Sequence, residues 1–329
     1  MNHIRFDEPG ILPCVILGAG AAGHAAAVWL DSYKVPFVWI ARGAVGGMLR
    51  RVYNKLVNVP GQNFAHGPEI SDGIEAQIEA SKFDPPRALA IEKITREQEH
   101  FVLRADTGEE LHARVVILAT GTEYRTLDVP GSSQSDLVFN EDSAIISYSA
   151  SRDGERLSGK EVAVVGGGDA AFENALILAK HDCKVHLLLR SLPSARRAFV
   201  GKVKAIEGIT IHQVPTVVEK VEQQTPEMLR LHLSHGDESP NSTLEVEGMV
   251  IRIGVKPTYP ELGFDVERDA SGYIHVDSEQ STSVPRLLAV GDVTSHKLRA
   301  IVCAASSGAT AALTAAELLG AFRFDEDEI

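Results

Sequence analysis

Val15-Ile16-Leu17-Gly18-Ala19-Gly20-Ala21-Ala22-Gly23 and Val162-Ala163-Val164-Val165-Gly166-Gly167-Gly168-Asp169-Ala170-Ala171 decide how this chain folds. Each is an apolar run, then a glycine-rich turn, then an alanine-rich start that predicts a helix. A strand that ends in such a turn lets a diphosphate approach the main chain, because no side chain stands in the way. The helix that follows points free amides and its positive end at that phosphate. One such stretch is weak evidence. Two, each between a buried strand and a helix, predict two dinucleotides handled by one chain. A third signal, Ala289-Val290-Gly291-Asp292, precedes an alanine-rich helix read over Arg299–Leu319.

Outward from the first loop, Cys14–Leu17, Ala21–Leu30 and Phe37–Ile40 read as strand, helix and strand. Ile70, Ile74 and Ile78 give a helix over 67–81 its apolar face. His100–Ala105 and Leu111–Ala113 read as a hairpin around Thr107-Gly108, and Val115–Ala119 as a separate buried strand. The pattern breaks near Asp128-Val129-Pro130-Gly131 and restarts at Glu161 with helix Asp169–Lys180 and strand Lys184–Arg190. Met228–Leu233 alternates as a half-buried strand. Leu287–Val290 returns to the first unit. The expected fold is α/β: two Rossmann-like, three-layer ββα nucleotide-binding domains, the second inserted into the first. The expected boundaries are 1–126 with 257–329 and, between them, 127–256.

The 329 residues carry a net charge of −13 and 44% hydrophobic residues, enough for two cores. The charge and the lack of a basic tract disfavour nucleic acid. Met1–Asp7 is polar, no apolar run reads as long enough to span a bilayer, and Asp325–Glu328 reads as a solvated tail. Cys14, Cys183 and Cys303 are far apart, which predicts a reducing, cytoplasmic setting, no sequence-local dithiol and no metal site.

The ordered set of Gly18-Ala19-Gly20, Gly46-Gly47, Asn58-Val59-Pro60-Gly61, Ala119-Thr120-Gly121, Gly168-Asp169, Ile253-Gly254 with Pro257, and Gly291-Asp292 with Arg299 resembles the low-molecular-weight thioredoxin reductases along nearly the whole chain. The resemblance implies FAD on the outer segments, at Gly18, Gly20, Ala22, Gly23, Gly46, Gly47, Asn58, Thr120, Gly121, Gly291, Asp292, Arg299 and Ala300. It implies NADPH on the inserted domain, at Gly166, Gly167, Gly168, Asp169, Arg190, Arg196 and Arg197. It also implies hydride transfer from nicotinamide to flavin, and a homodimer.

The departures bear on chemistry. The family's Cys-x-x-Cys-Asp-Gly stands here as Ser149-Ala150-Ser151-Arg152-Asp153-Gly154. A serine cannot cycle through a disulfide. Arg152 reads either as a fixed charge near a flavin or anion, or as a solvated loop residue. Trp39-Ile40-Ala41-Arg42 offers no carboxylate for the adenosine ribose, and Met48 and Ala300 stand where the family has flavin-contacting glutamines. Arg190, Arg196 and Arg197 read as a clamp for a 2′-phosphate or as a solvated turn. Cys303 reads as a thiol near the flavin or as a small core residue, and Cys14 as a core residue. His24 reads as a phosphate contact or a helix-surface residue. His66 and His296 are loop histidines whose spacing supports no role.

The expectation is an FAD-dependent NAD(P)H oxidoreductase without a dithiol, passing electrons to ferredoxin, flavodoxin, a quinone or another small acceptor. The alternative is a degenerate flavin- or nucleotide-binding sensor, or a flavoprotein fed by a protein partner.

Overall fold

The computed structural model describes residues 10–132, 145–236 and 240–322. Met1–Asp7 and the acidic tail Asp325–Glu328 lie outside them. The chain divides into two compact units, Met1–Glu123 with Lys256–Ile329, and Tyr124–Val255.

In the first unit, β1 (Ile11–Leu17), α1 (Ala21–Ser32) and β2 (Phe37–Ala41) form the opening crossover. There follow β3 (Leu56–Val59), β4 (Gln62–Phe64), α2 (Gly67–Ala80), β5 (Arg87–Ala88), β6 (Ile91–Glu97), β7 (His100–Ala105), β8 (Glu110–Leu118) and β9 (Thr122–Tyr124). The second unit supplies β10 (Ile145–Ser147), α3 (Ala150–Asp153), β11 (Glu161–Val165), α4 (Asp169–Lys180), β12 (Lys184–Leu188), α5 (Arg197–Lys204), β13 (Ile209–Ile211), β14 (Val217–Thr225), β15 (Met228–Ser234), β16 (Ser242–Val246) and β17 (Gly248–Ile251). After β18 (Val255–Pro257), the chain completes the first unit with β19 (Glu261–Leu262), β20 (Leu287–Ala289) and α6 (Ile301–Leu318).

The main sheet of the first unit runs β19-β6-β7-β8-β1-β2-β5, with β20 on β8. Its central strands are apolar throughout because both faces are covered. Cys14, Ile16, Val115 and Ile117 pack with Leu30, Ile74 and the alanines of α1 and α6. Val15, Leu17, Val116 and Leu118 point the other way, onto Phe101, Leu103 and Ile274. Two sequence expectations change here. Leu111–Ala113 and Val115–Ala119 are one strand, because β8 pairs antiparallel with β7 and continues parallel to β1. Strand β6, with the charged sequence Ile91-Glu92-Lys93-Ile94-Thr95-Arg96-Glu97, was not anticipated.

The reading that no apolar run could span a bilayer also needs correcting. Ile301–Leu318 is 18 residues long with a mean hydropathy of 1.4, long and apolar enough by composition. Its composition has a packing cause, since the small-residue face of α6 lies directly on α1. A Cβ on Gly308 would meet the Ala22 carbonyl at 2.1 Å, and Ala311, Ala312 and Ala315 are fully buried.

The second unit has three layers. A parallel sheet, β10-β17-β11-β12-β13, is covered on one face by helices and on the other by the antiparallel β14-β15-β16. Strand β11 shows the period of two: Val162 and Val164 join Phe172 and Leu178, while Ala163 and Val165 join Leu229, Leu231 and Met249.

Candidate functional site

A cleft of about 1150 Å³ opens in the first unit at the carboxyl ends of β1, β2 and β20, where α/β sheets bind ligands. Its floor is the turn from β1 to α1. Gly18 has φ +112°, and a Cβ there would meet the Ala119 carbonyl at 2.2 Å. A Cβ on Gly23 would meet the Gly18 carbonyl at 1.9 Å. These two glycines let the turn pack against the segment after β8 and against itself. Gly20 differs: nothing lies within 4 Å of the Cβ it lacks. It caps α1 without a side-chain hydrogen bond. The first-turn amides and the positive helix end therefore face open space. The Trp39 indole N–H donates to the Gly18 carbonyl at 2.8 Å and holds the turn to β2.

Gly18, Gly20, Ala22, Gly46, Gly47, Asn58, Thr120, Gly121, Gly291, Asp292, Arg299 and Ala300 all line this cleft, with Met48. Gly23 lies behind it, against Gly18. The buried Thr120 hydroxyl has no hydrogen-bond partner. Burial pushes the Asp292 carboxyl up, and Arg299 pulls it part of the way back. The Arg299 guanidinium rests 4.1 Å from the Tyr273 ring centroid. The Ser307 hydroxyl accepts the Gly291 N–H at 2.9 Å, so α6 fixes the Gly291-Asp292 turn. Arg50 ties the Gly46-Gly47 turn to α2, donating to the Val45 carbonyl at 2.6 Å and to Glu75 at 2.5 Å.

Cys303 is half-buried, one residue from Ala304, which lines the cleft. Cys14 and Cys183 are buried, and burial pushes both thiols up and keeps them protonated. His24 is neither a surface residue nor part of the cleft lining. It is 8% exposed and stacks on Trp39, and its Nε2 has no partner. His66 caps α2, where its Nδ1 accepts the Glu69 N–H at 3.2 Å.

In the second unit, the turn from β11 to α4 repeats the construction. Gly166 has φ +142°, and its Cβ would meet the Arg252 carbonyl at 2.3 Å. The segment after β12 folds back onto this turn, with the Ser194 and Ala195 N–H groups donating to the Gly167 carbonyl at 2.9 and 3.1 Å. The Asp169 carboxylate accepts from the Arg196 backbone N–H and Nε, both at 2.7 Å. Arg196 also lies over Phe199. Of the three arginines singled out in the sequence, Arg196 is thus turned to Asp169. Arg190 and Arg197 stay exposed, with no ion pair among the described residues.

The stretch matching the dithiol is a tightly bonded turn. The fully buried Ser147 hydroxyl donates to the Asp153 carboxylate and accepts the Ser149 N–H at 3.0 Å. Arg152 grips Asp153 with two donors, Nε to Oδ1 at 3.0 Å and a terminal nitrogen to Oδ2 at 2.7 Å. The Ala150 N–H donates to Asn174 at 2.7 Å. Tyr148 stacks on Tyr124 at 5.3 Å and 8°, and Arg252 donates to the Tyr148 carbonyl at 2.7 Å. The Arg152 charge is therefore largely matched by Asp153. Among the described residues no cluster of histidines, cysteines and carboxylates has the geometry of a metal site.

The model of one family covers residues 12–308, and its description is pyridine nucleotide-disulphide oxidoreductase. The chain belongs to that family. It is 30% identical over 311 residues to the thioredoxin reductase of Bacillus subtilis, covering 93% of this chain and 94% of that one. It is 29% identical to the NADH dehydrogenase of the same organism, covering 96% of this chain and 60% of that one. Among solved structures it is similar to the thioredoxin reductase of Lactococcus lactis, with a TM-score of 0.78, 25% identity and coverage of 93% and 98%. The two-domain α/β fold with Rossmann-like sheets is that of these proteins. Thioredoxin reductase-like oxidoreductases use FAD and NADPH, the pair expected from the sequence.

Proposed function

We propose that this chain is an FAD-dependent NADPH oxidoreductase that works without an internal dithiol and passes electrons directly to an external acceptor. The observation that carries this reading is a pair of structures in one chain: an open dinucleotide cradle at Gly20, and a Ser147–Ser149–Arg152–Asp153 turn where a dithiol relay would have to stand. The cleft residues fit FAD. The open face of Gly20 and the free amides of α1 suit a diphosphate, the orphaned Thr120 hydroxyl lacks a partner that a ligand would supply, and Asp292 is a half-desolvated acceptor or donor.

When bound, FAD supplies a two-electron acceptor for hydride from reduced nicotinamide. The chain's own groups bind, orient and tune. Gly18 and Gly23 set the turn, Arg50 and Ser307 fix the loops on either side, and Arg299 holds a positive charge beside Asp292. In the second unit Gly166, Gly167 and Gly168 shape the nucleotide turn, with Arg190 and Arg197 as the 2′-phosphate contacts.

A net charge of −13 opposes an acidic carrier protein and favours a small acceptor such as a quinone. We place the chain in the cytoplasm, working as a homodimer, on the unpaired thiols and the resemblance. The test is NADPH-dependent reduction of thioredoxin and of a quinone by the same preparation. The reading expects quinone reduction and no new thiols. Robust thioredoxin turnover refutes it.

A further inference from the structure

The end of β2 lacks the carboxylate that normally receives adenosine ribose, and Arg42 stands next to it. The same end of the cleft is nonetheless lined by two carboxylates, Glu92 and Asp106, which come from other strands. Their placement follows from the sheet. Strand β5 pairs with β2 at Ile40 and Ala41, and the Leu89 N–H donates to the Ala41 carbonyl at 3.2 Å. The Ala90 carbonyl then accepts the Asp106 N–H at 2.9 Å. Glu92 is the extra residue of a register shift between Ile91 and Lys93, an irregularity that re-aims a side chain. Arg42, Glu92 and Asp106 are all exposed, and none of their side chains makes a hydrogen bond or ion pair among the described residues. Several neighbouring charged side chains do pair: Lys93 with Glu261, Arg104 with Glu110 and Arg87 with Glu109. Glu261 and Glu123 also line the cleft but are held by Lys93 and Lys256, which leaves Glu92 and Asp106 as the exposed lining acids without a partner among the described residues.

We propose that Glu92 and Asp106 replace the missing strand-end carboxylate and accept hydrogen bonds from the adenosine ribose hydroxyls of the bound dinucleotide. The proposal rests on the FAD reading above. Arg42 offsets one of the two negative charges, so the acids meet the hydroxyls without opposing the diphosphate next to them. Being exposed and unpaired, neither acid supports the fold, so both can be replaced without unfolding the chain.

The test is fluorescence titration of flavin-free protein with FAD and with an FAD analogue lacking the adenosine 2′-hydroxyl. Wild type is expected to bind FAD about tenfold or more tightly than the analogue, the effect of losing a charge-assisted hydrogen bond. The Glu92→Gln/Asp106→Asn double variant should bind FAD about tenfold or more weakly and lose the discrimination, with an unchanged melting temperature of the flavin-free protein. A double variant that binds FAD as wild type does, or that still discriminates, overturns this proposal alone. A wild-type protein that takes up no FAD overturns the cofactor reading and this proposal with it.

Discussion

Gly18 and Gly20 sit two residues apart in one turn, yet the structure gives them opposite jobs, and alanine at each separates the two. At Gly20 the backbone has φ −80° and ψ −174°, open to any residue, and a Cβ meets nothing within 4 Å. Gly20→Ala should therefore leave the flavin-free protein as stable as before, or stabilise it by about 0.4–1 kcal/mol through the unfolded chain. The added methyl instead occupies the space above the α1 amides. Crowding a bound diphosphate there should cost about 1–3 kcal/mol, which weakens FAD roughly 5- to 150-fold. At Gly18 the φ of +112° is strained for alanine, and the Cβ would lie 2.2 Å from the Ala119 carbonyl. Gly18→Ala should destabilise the flavin-free protein by about 2–4 kcal/mol, from left-handed strain together with overpacking. The assay is denaturant unfolding of both flavin-free variants beside FAD titration. Unchanged FAD affinity in Gly20→Ala would show that no diphosphate lies over this turn.

Two further outcomes follow from the same geometry. Replacing Arg190 and Arg197 together by alanine should erase a preference for NADPH over NADH of about tenfold or more, mainly by weakening NADPH, in rapid-mixing measurements of flavin reduction. Equal rates with both nucleotides in the unmodified protein would reject the clamp and point to the NADH use named for one relative. Burial lowers the His24 pKa below its ordinary value of about 6.5, because the buried ring resists a proton that the unfolded chain accepts. Its contribution to stability is complete above about pH 6.5 and is lost as pH falls through the folded value. His24→Leu should flatten that acid limb, read by Trp39 fluorescence during denaturation at pH 7 and pH 5. An unchanged limb would mean that other groups set it.

Much of the fold was legible because its central strands are short apolar runs closed by glycine turns. Val15-Ile16-Leu17 and Val162–Val165 are buried on both faces, so their composition alone marks them. Strand β6 was not legible. Its charged residues face solvent on an irregular strand, and its pairing with β7 is a tertiary fact. The reading of Leu111–Ala113 and Val115–Ala119 as separate strands missed that one ladder runs from β7 through β8 to β1, a tertiary pairing. The lining of the first cleft was legible where residues belong to compact motifs, such as Thr120-Gly121 and Gly291-Asp292. Glu92 and Asp106 reach the cleft only through the sheet order, and Arg196 meets Asp169 across 27 positions of sequence. His24 misled because a polar ring on a helix reads as a surface residue, while in space it is buried against Trp39.

The central claim is a flavin without a dithiol, and counting electrons addresses it directly. A chain with FAD alone takes up two electrons, and one with FAD and a redox disulfide takes up four. The measurement is anaerobic titration of the FAD-loaded protein with NADPH, following the flavin absorbance and free thiols together. The account predicts full bleaching at one NADPH per chain, with no change in thiol count. A second equivalent consumed with the appearance of two thiols, or a flavin that NADPH does not bleach at all, would contradict it.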